Sequence, residues 1–141
     1  MTRIGFYVLS EAQPLARLHF ACRLVAISYG EGLRTFVNVS DPATCTRMDE
    51  LLWTYRDQSF VPHEICANGT GGDSPVVIGH DTEPSGDFSF LLNLADEVPH
   101  FFSRFERAAD VVDASPETRK LGRHRFRFYR DRGYRIETHN I

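Results

Sequence analysis

The run Arg3-Ile-Gly-Phe-Tyr-Val-Leu9 is nearly continuous in apolar and strand-forming residues. An amphipathic strand would alternate polar and apolar residues. An unbroken apolar run instead suits a strand buried on both faces, which is the environment of a parallel sheet covered on two sides. The next segment is built to supply such a cover. After Ser10 to Gln13, Pro14 suits the first turn of a helix. Leu15, Leu18, Cys22, Val25, Ala26 and Tyr29 then recur at helical spacing, and Phe20, Leu24 and Ile27 lie off that stripe, so a well-buried helix is expected. Gly30 and Gly32 end it.

Arg34–Val39 is a second strand by the same reasoning. Ser40 or Asp41 caps the next helix, with Pro42 in its first turn. This helix runs to about Trp53 with Met48, Leu51 and Leu52 as its apolar side. Residues 54–68 form a polar and aromatic connection, and 69–74 a turn. Pro75–Gly79 and Phe88–Leu94 are strands. His100–Phe105 is a short helical segment, and Ala108–Asp113 a strand. Ser115 and Pro116 start a last helix that runs to about Asp131. Gly133 stops it, and Tyr134–Thr138 is a final strand. Strands alternating with helices predict one α/β domain over residues 1–141, with a three-layer arrangement and a mostly parallel central sheet.

Several function classes are disfavoured. The turn after the first strand, Ser10 to Pro14, has no glycine, so a dinucleotide's pyrophosphate finds no close backbone there. Gly69-Thr-Gly-Gly72 lacks the Lys-Ser/Thr of a P-loop. Three scattered cysteines, Cys22, Cys45 and Cys66, suit neither a disulfide framework nor a zinc site. The six histidines show no ligand spacing. His63-Glu64 and His80-Asp81 are the candidate acid–base pairs, and nothing in the sequence orients them. No catalytic residue, cofactor or metal is expected. No apolar run approaches the roughly 20 residues that span a bilayer, and the start lacks a signal-peptide pattern. A cytoplasmic protein is expected.

Charge is where the chain asks for a partner. Its net charge is −3. Residues 119–135 nevertheless hold eight basic groups and one acid, a net of +7, leaving −10 on the rest. Arg119, Arg123, Arg127 and Arg130 fall within an arc of about 80° at the 3.6-residue period. They form one cationic ridge, with Phe126 beside it and Val112 ending the preceding strand. Arg125 and Arg132 fall on the opposite face and must pair or snorkel. The ridge suits an anion. A net acidic protein is poorly placed to hold nucleic acid directly, so an acidic peptide with an apolar anchor fits better. A direct single-stranded nucleic-acid-binding module is the alternative. A second candidate surface is Leu51-Leu-Trp53 with Phe60-Val61-Pro62, an aromatic patch of the kind that forms protein–protein hot spots.

At these residues the chain resembles a known family. Phe6-Tyr-Val-Leu9, Asp49-Glu-Leu-Leu-Trp53, Ser59-Phe-Val-Pro-His63, Phe102-Ser-Arg-Phe105 and Arg123–Gly133 are similar, in order and spacing, to the chi subunits of bacterial DNA polymerase III. The resemblance implies a Rossmann-like fold without a nucleotide site. It implies a non-catalytic adaptor associated with the clamp loader, forming a heterodimer with a psi subunit. It implies binding to the acidic C-terminal tail of single-stranded-DNA-binding protein, which ends in an apolar residue and a free carboxylate. Trp53, Phe60, Val61 and Pro62 match the psi interface, a surface also implicated with a helicase-like partner. Val112, Arg119, Arg123, Phe126 and Arg127 match the tail site. Relatives can carry Lys at 119 and 127 and Tyr at 126. Arginine keeps the charge with different geometry, and Phe126 lacks the hydroxyl.

Overall fold

The computed structural model describes residues 1–13, 15–55, 61–66 and 73–141. Pro14, Ser59, Phe60 and the 69–72 glycine stretch lie outside them. Seven strands form one sheet: β1 (Arg3–Val8), β2 (Thr35–Val39), β3 (His63–Ile65), β4 (Val76–His80), β5 (Phe90–Asn93), β6 (Arg107–Val112) and β7 (Ile136–Asn140). Their order is β3-β4-β2-β5-β6-β1-β7, and every pairing is parallel. Three helices join them: α1 (Ala16–Gly30), α2 (Pro42–Thr54) and α3 (Pro116–Asp131).

The sheet divides the core in two. Successive strand residues point to opposite faces. Val37, Val39, Val76, Ile78, Leu92 and Val111 meet Cys22, Val25, Met48 and Leu52 of α1 and α2. On the other face Ile4, Phe36, Val77 and Leu91 meet Phe101, Phe102, Phe105 and Tyr129, the last from α3. This is the three-layer α/β arrangement expected. Asn38 and Asn93 sit within the buried strands and satisfy one another, Nδ2 to Oδ1 at 3.1 Å.

Four expectations need correction. Helix α1 buries one face only, because Ile27 and Tyr29 are exposed. β3 lies inside the stretch read as a connection; three residues on the sheet edge carry too little pattern to detect. The helical segment before β6 shrinks to a single 3₁₀ turn, Phe102–Arg104. β7 begins two residues later than read, because Tyr134 still closes α3. Its N–H donates to Tyr129 O at 3.1 Å and that of Gly133 to Arg130 O at 3.0 Å. Gly133 is left-handed, with φ of 80°. That is a Schellman ending, which requires a residue able to take positive φ.

Candidate functional site: a cleft between the arginine helix and the sheet edge

Helix α3 starts as its sequence dictates. Ser115 caps it by accepting from the Thr118 N–H at 3.3 Å, and Pro116 occupies the first turn. Its buried residues are Gly122, Arg125 and Tyr129. A methyl group on Gly122 would stand 2.5 Å from Val112 Cγ1. Glycine is therefore the residue that lets α3 approach β6 this closely, despite its cost of about 1 kcal/mol in a helix interior.

That close approach shapes a cleft of about 190 Å³. Phe6, Val8, Val112, Gly122 and Phe126 make it apolar. Arg119, Arg123 and Thr138 complete its lining. Phe126 is held edge-on against Phe6, with ring centroids 5.5 Å apart. Arg119 donates from Nε to Asp113 O and from Nη2 to Leu9 O, both at 3.2 Å. Its guanidinium is thus fixed where β1 and β6 end. Arg123 is exposed and, among the described residues, has no ion-pair or hydrogen-bond partner; Arg127 is alike. Among the described residues, no carboxylate lines the cleft. A small apolar hollow with two guanidiniums beside it suits an apolar group that carries, or adjoins, an anion.

Of the residues expected at this site, Val112, Arg119, Arg123 and Phe126 come together. Arg127 is on the same helix face but does not line the cleft. Arg130 closes the ridge by pairing with Asp131 at 3.1 Å, both exposed. The two off-ridge arginines are accommodated as they must be. Arg125 pairs with buried Asp110, and Arg132 lies over the Phe128 ring at 3.6 Å from its centroid. Phe6, Val8, Gly122 and Thr138 escaped the sequence reading. Gly122 left a signal, an isolated glycine inside a helical pattern, which commonly marks close packing.

The second patch lies at the other end of the sheet. Trp53, at the end of α2, is 60% exposed, and its ring meets His63 of β3 edge-on at 5.2 Å. Val61 is buried in the core and Pro62 is half-buried. Val61 therefore supports this surface from beneath. The cleft and the tryptophan flank opposite edges, β7 and β3.

The four residues of the candidate acid–base pairs are distributed over β3, the end of β4 and the residue after it. His63 Nδ1 lies 2.7 Å from Val61 O, and Nε2 lies 3.3 Å from the Asp49 carboxylate. Glu64, on the opposite strand face, accepts from Ser74 N–H and hydroxyl. His80 Nδ1 sits 3.7 Å from Cys45 Sγ. Among the described residues, no three His, Cys, Asp or Glu side chains gather as a metal site. No helix among them is long and apolar enough to cross a membrane.

The chain is similar to known proteins over nearly its whole length. The family model described as "DNA polymerase III chi subunit, HolC" matches residues 1–137. DNA polymerase III subunit chi of Pseudomonas aeruginosa is 36% identical over 141 residues, all of this chain and 98% of the relative. The subunits chi of Haemophilus influenzae and Escherichia coli are 28% and 27% identical, over 96% and 98% of this chain and 95% and 97% of theirs. With that family model matched over residues 1–137 and a relative 36% identical over the full chain, the chain belongs to the DNA polymerase III chi subunit family.

Proposed function

We propose that this chain is a non-catalytic, cytoplasmic adaptor of the bacterial replication machinery with two separate protein-binding surfaces. The first takes the acidic C-terminal tail of single-stranded-DNA-binding protein. The observation that carries this reading is the cleft: an apolar hollow about the size of one side chain, two arginines beside it, and, among the described residues, no acid in its lining. A peptide ending in an apolar residue and a free carboxylate satisfies both halves at once. The side chain fills the hollow against Phe6, Val112 and Phe126, and the carboxylate meets Arg119 or Arg123. The acidic residues before it face the rest of the ridge.

The second surface, around Trp53, pairs with the psi subunit and through it with the clamp loader. A helicase-like partner would compete for the same residues. The support is an indole left 60% exposed on a helix end, since large exposed aromatics are favoured contact residues.

Fluorescence anisotropy with a labelled tail peptide tests the first surface. Arg123→Ala is expected to weaken binding by about 1.5–3 kcal/mol, the scale of a hydrogen bond to a charged group. Removing the terminal apolar residue should weaken it comparably, and added salt should do so progressively. Psi should still co-elute with the Arg123→Ala chain. Salt-insensitive tail binding, or loss of both partners together, sinks the two-surface reading. A gel shift with single-stranded DNA and no peptide addresses the alternative, direct nucleic-acid binding along the ridge.

A further inference from the structure

The cleft opens beside a sheet edge that is unfinished. Among the described strands, β7 lies at the sheet edge and pairs with β1 alone. Arg135 O accepts from Ile4 N–H, and Ile141 N–H donates to Val8 O. In a parallel ladder the peptide groups of alternate residues face alternate neighbours. Residues 135, 137, 139 and 141 therefore face β1. Ile136, Thr138 and Asn140 turn their N–H and C=O groups outward, where no strand among those described meets them. Such an edge is a template for one more strand.

Thr138 both belongs to this edge and lines the cleft. The direction of an added chain is set by α3. Arg119 is tied to the carbonyls of Leu9 and Asp113, at the carboxyl ends of β1 and β6. Phe126 packs on Phe6, nearer the middle of β1, so the helix descends antiparallel to the strands. Arg127 and Arg130 lie further down. A peptide with its terminal carboxylate at Arg119 and Arg123 keeps its upstream acidic residues near that charge only by running toward the start of β7. Its own N-to-C direction is then parallel to β7.

We infer that the acidic tail binds as an eighth, parallel strand, its backbone pairing with the outward peptide groups of Ile136, Thr138 and Asn140 while its last residue occupies the cleft. This rests on the tail reading of that cleft and adds to it the conformation and register of the bound peptide. It separates affinity into two parts. The terminal residue and carboxylate are read by side chains. The upstream segment is held by main-chain bonds, which ask only for an extended chain without proline at the paired positions.

Amide exchange on the full chain, followed by NMR with a synthetic acidic peptide ending in an apolar residue, tests this. The peptide should slow exchange at Ile136, Thr138 and Asn140, and leave Glu137 and His139, already paired to β1, unchanged. Peptides N-methylated one position at a time should lose affinity in a period of two, by about tenfold at paired positions. If Phe126 and Arg123 resonances respond while the β7 amides do not, the tail binds by its end alone and the strand proposal is overturned with the tail reading intact. If neither region responds, the tail reading itself has failed. Uniform losses across the N-methyl series also overturn the proposal.

Discussion

Nε of Arg125 lies 2.7 Å from Oδ1 of Asp110, and both side chains are shut away from water, at 3% and 0% exposure. Tyr129 adds its hydroxyl to Asp110 Oδ2 at 3.0 Å, and Arg125 Nη1 donates to Asp96 O at 2.9 Å. One arginine of the basic helix is therefore structural. Removing one member of a buried pair leaves the other charged and unsolvated, which costs about 3–5 kcal/mol. Arg125→Met should lower the unfolding free energy by that amount in urea titrations. Arg123→Met, two residues away and exposed, should change it by no more than about 0.5 kcal/mol. Equal effects would mean that the pair does not anchor the helix.

Gly122→Ala tests the cleft without touching a charge. Alanine favours the helix by about 1 kcal/mol. Its methyl group would nonetheless collide with Val112 at 2.5 Å, and overpacking costs about 1–3 kcal/mol. The net loss of stability should be small, at most about 2 kcal/mol. Tail affinity should fall by more than about tenfold, because α3 must move away from the wall that it forms with Val112 and Phe6. A variant with wild-type tail affinity would place the ligand elsewhere.

Arg125 and Gly122 mark what was legible in the sequence. The caps at Ser115 and Asp41 and the stop at Gly133 are local signals, and each sits where expected. The ridge was legible because the helical period alone sets which arginines share a face. The partner of Arg125 was not, since Asp110 lies in the apolar run Ala108–Asp113 and only the packing of α3 on β6 brings them together. Phe6, Val8 and Thr138 join the cleft through the order β6-β1-β7. That order brings residues far apart in sequence side by side, and no local pattern encodes it. At the tryptophan surface, Trp53, Val61 and Pro62 are among the described residues and Phe60 lies outside them.

Alkaline pH should destabilise the chain through its buried thiols. Burial pushes Cys22 up to about 12, and burial with nearby Asp41 pushes Cys45 up to about 11. An unfolded cysteine releases its proton near about 8.5. Between these values the native state holds protons that the unfolded state has lost, so stability is whole below about pH 8.5 and declines above it. The urea midpoint should drop between about pH 8.5 and 11, and drop less in Cys22→Ala. Rapid alkylation of Cys22 in the native protein at about pH 8 would contradict the burial on which this rests.

Trp53→Ala separates the two surfaces. The side chain is 60% exposed and buries little on folding, so the unfolding midpoint should scarcely move. If the indole anchors psi, its loss should weaken that complex by at least about 2 kcal/mol, the threshold of a hot spot. Tail binding, at the far edge of the sheet, should stay unchanged, and Arg123→Ala should give the reverse pattern. Isothermal titration of each variant against each partner provides the four values needed. In the double variant the losses should add to within about 0.5 kcal/mol, as for distant independent sites. A larger coupling would mean that one partner alters the surface offered to the other.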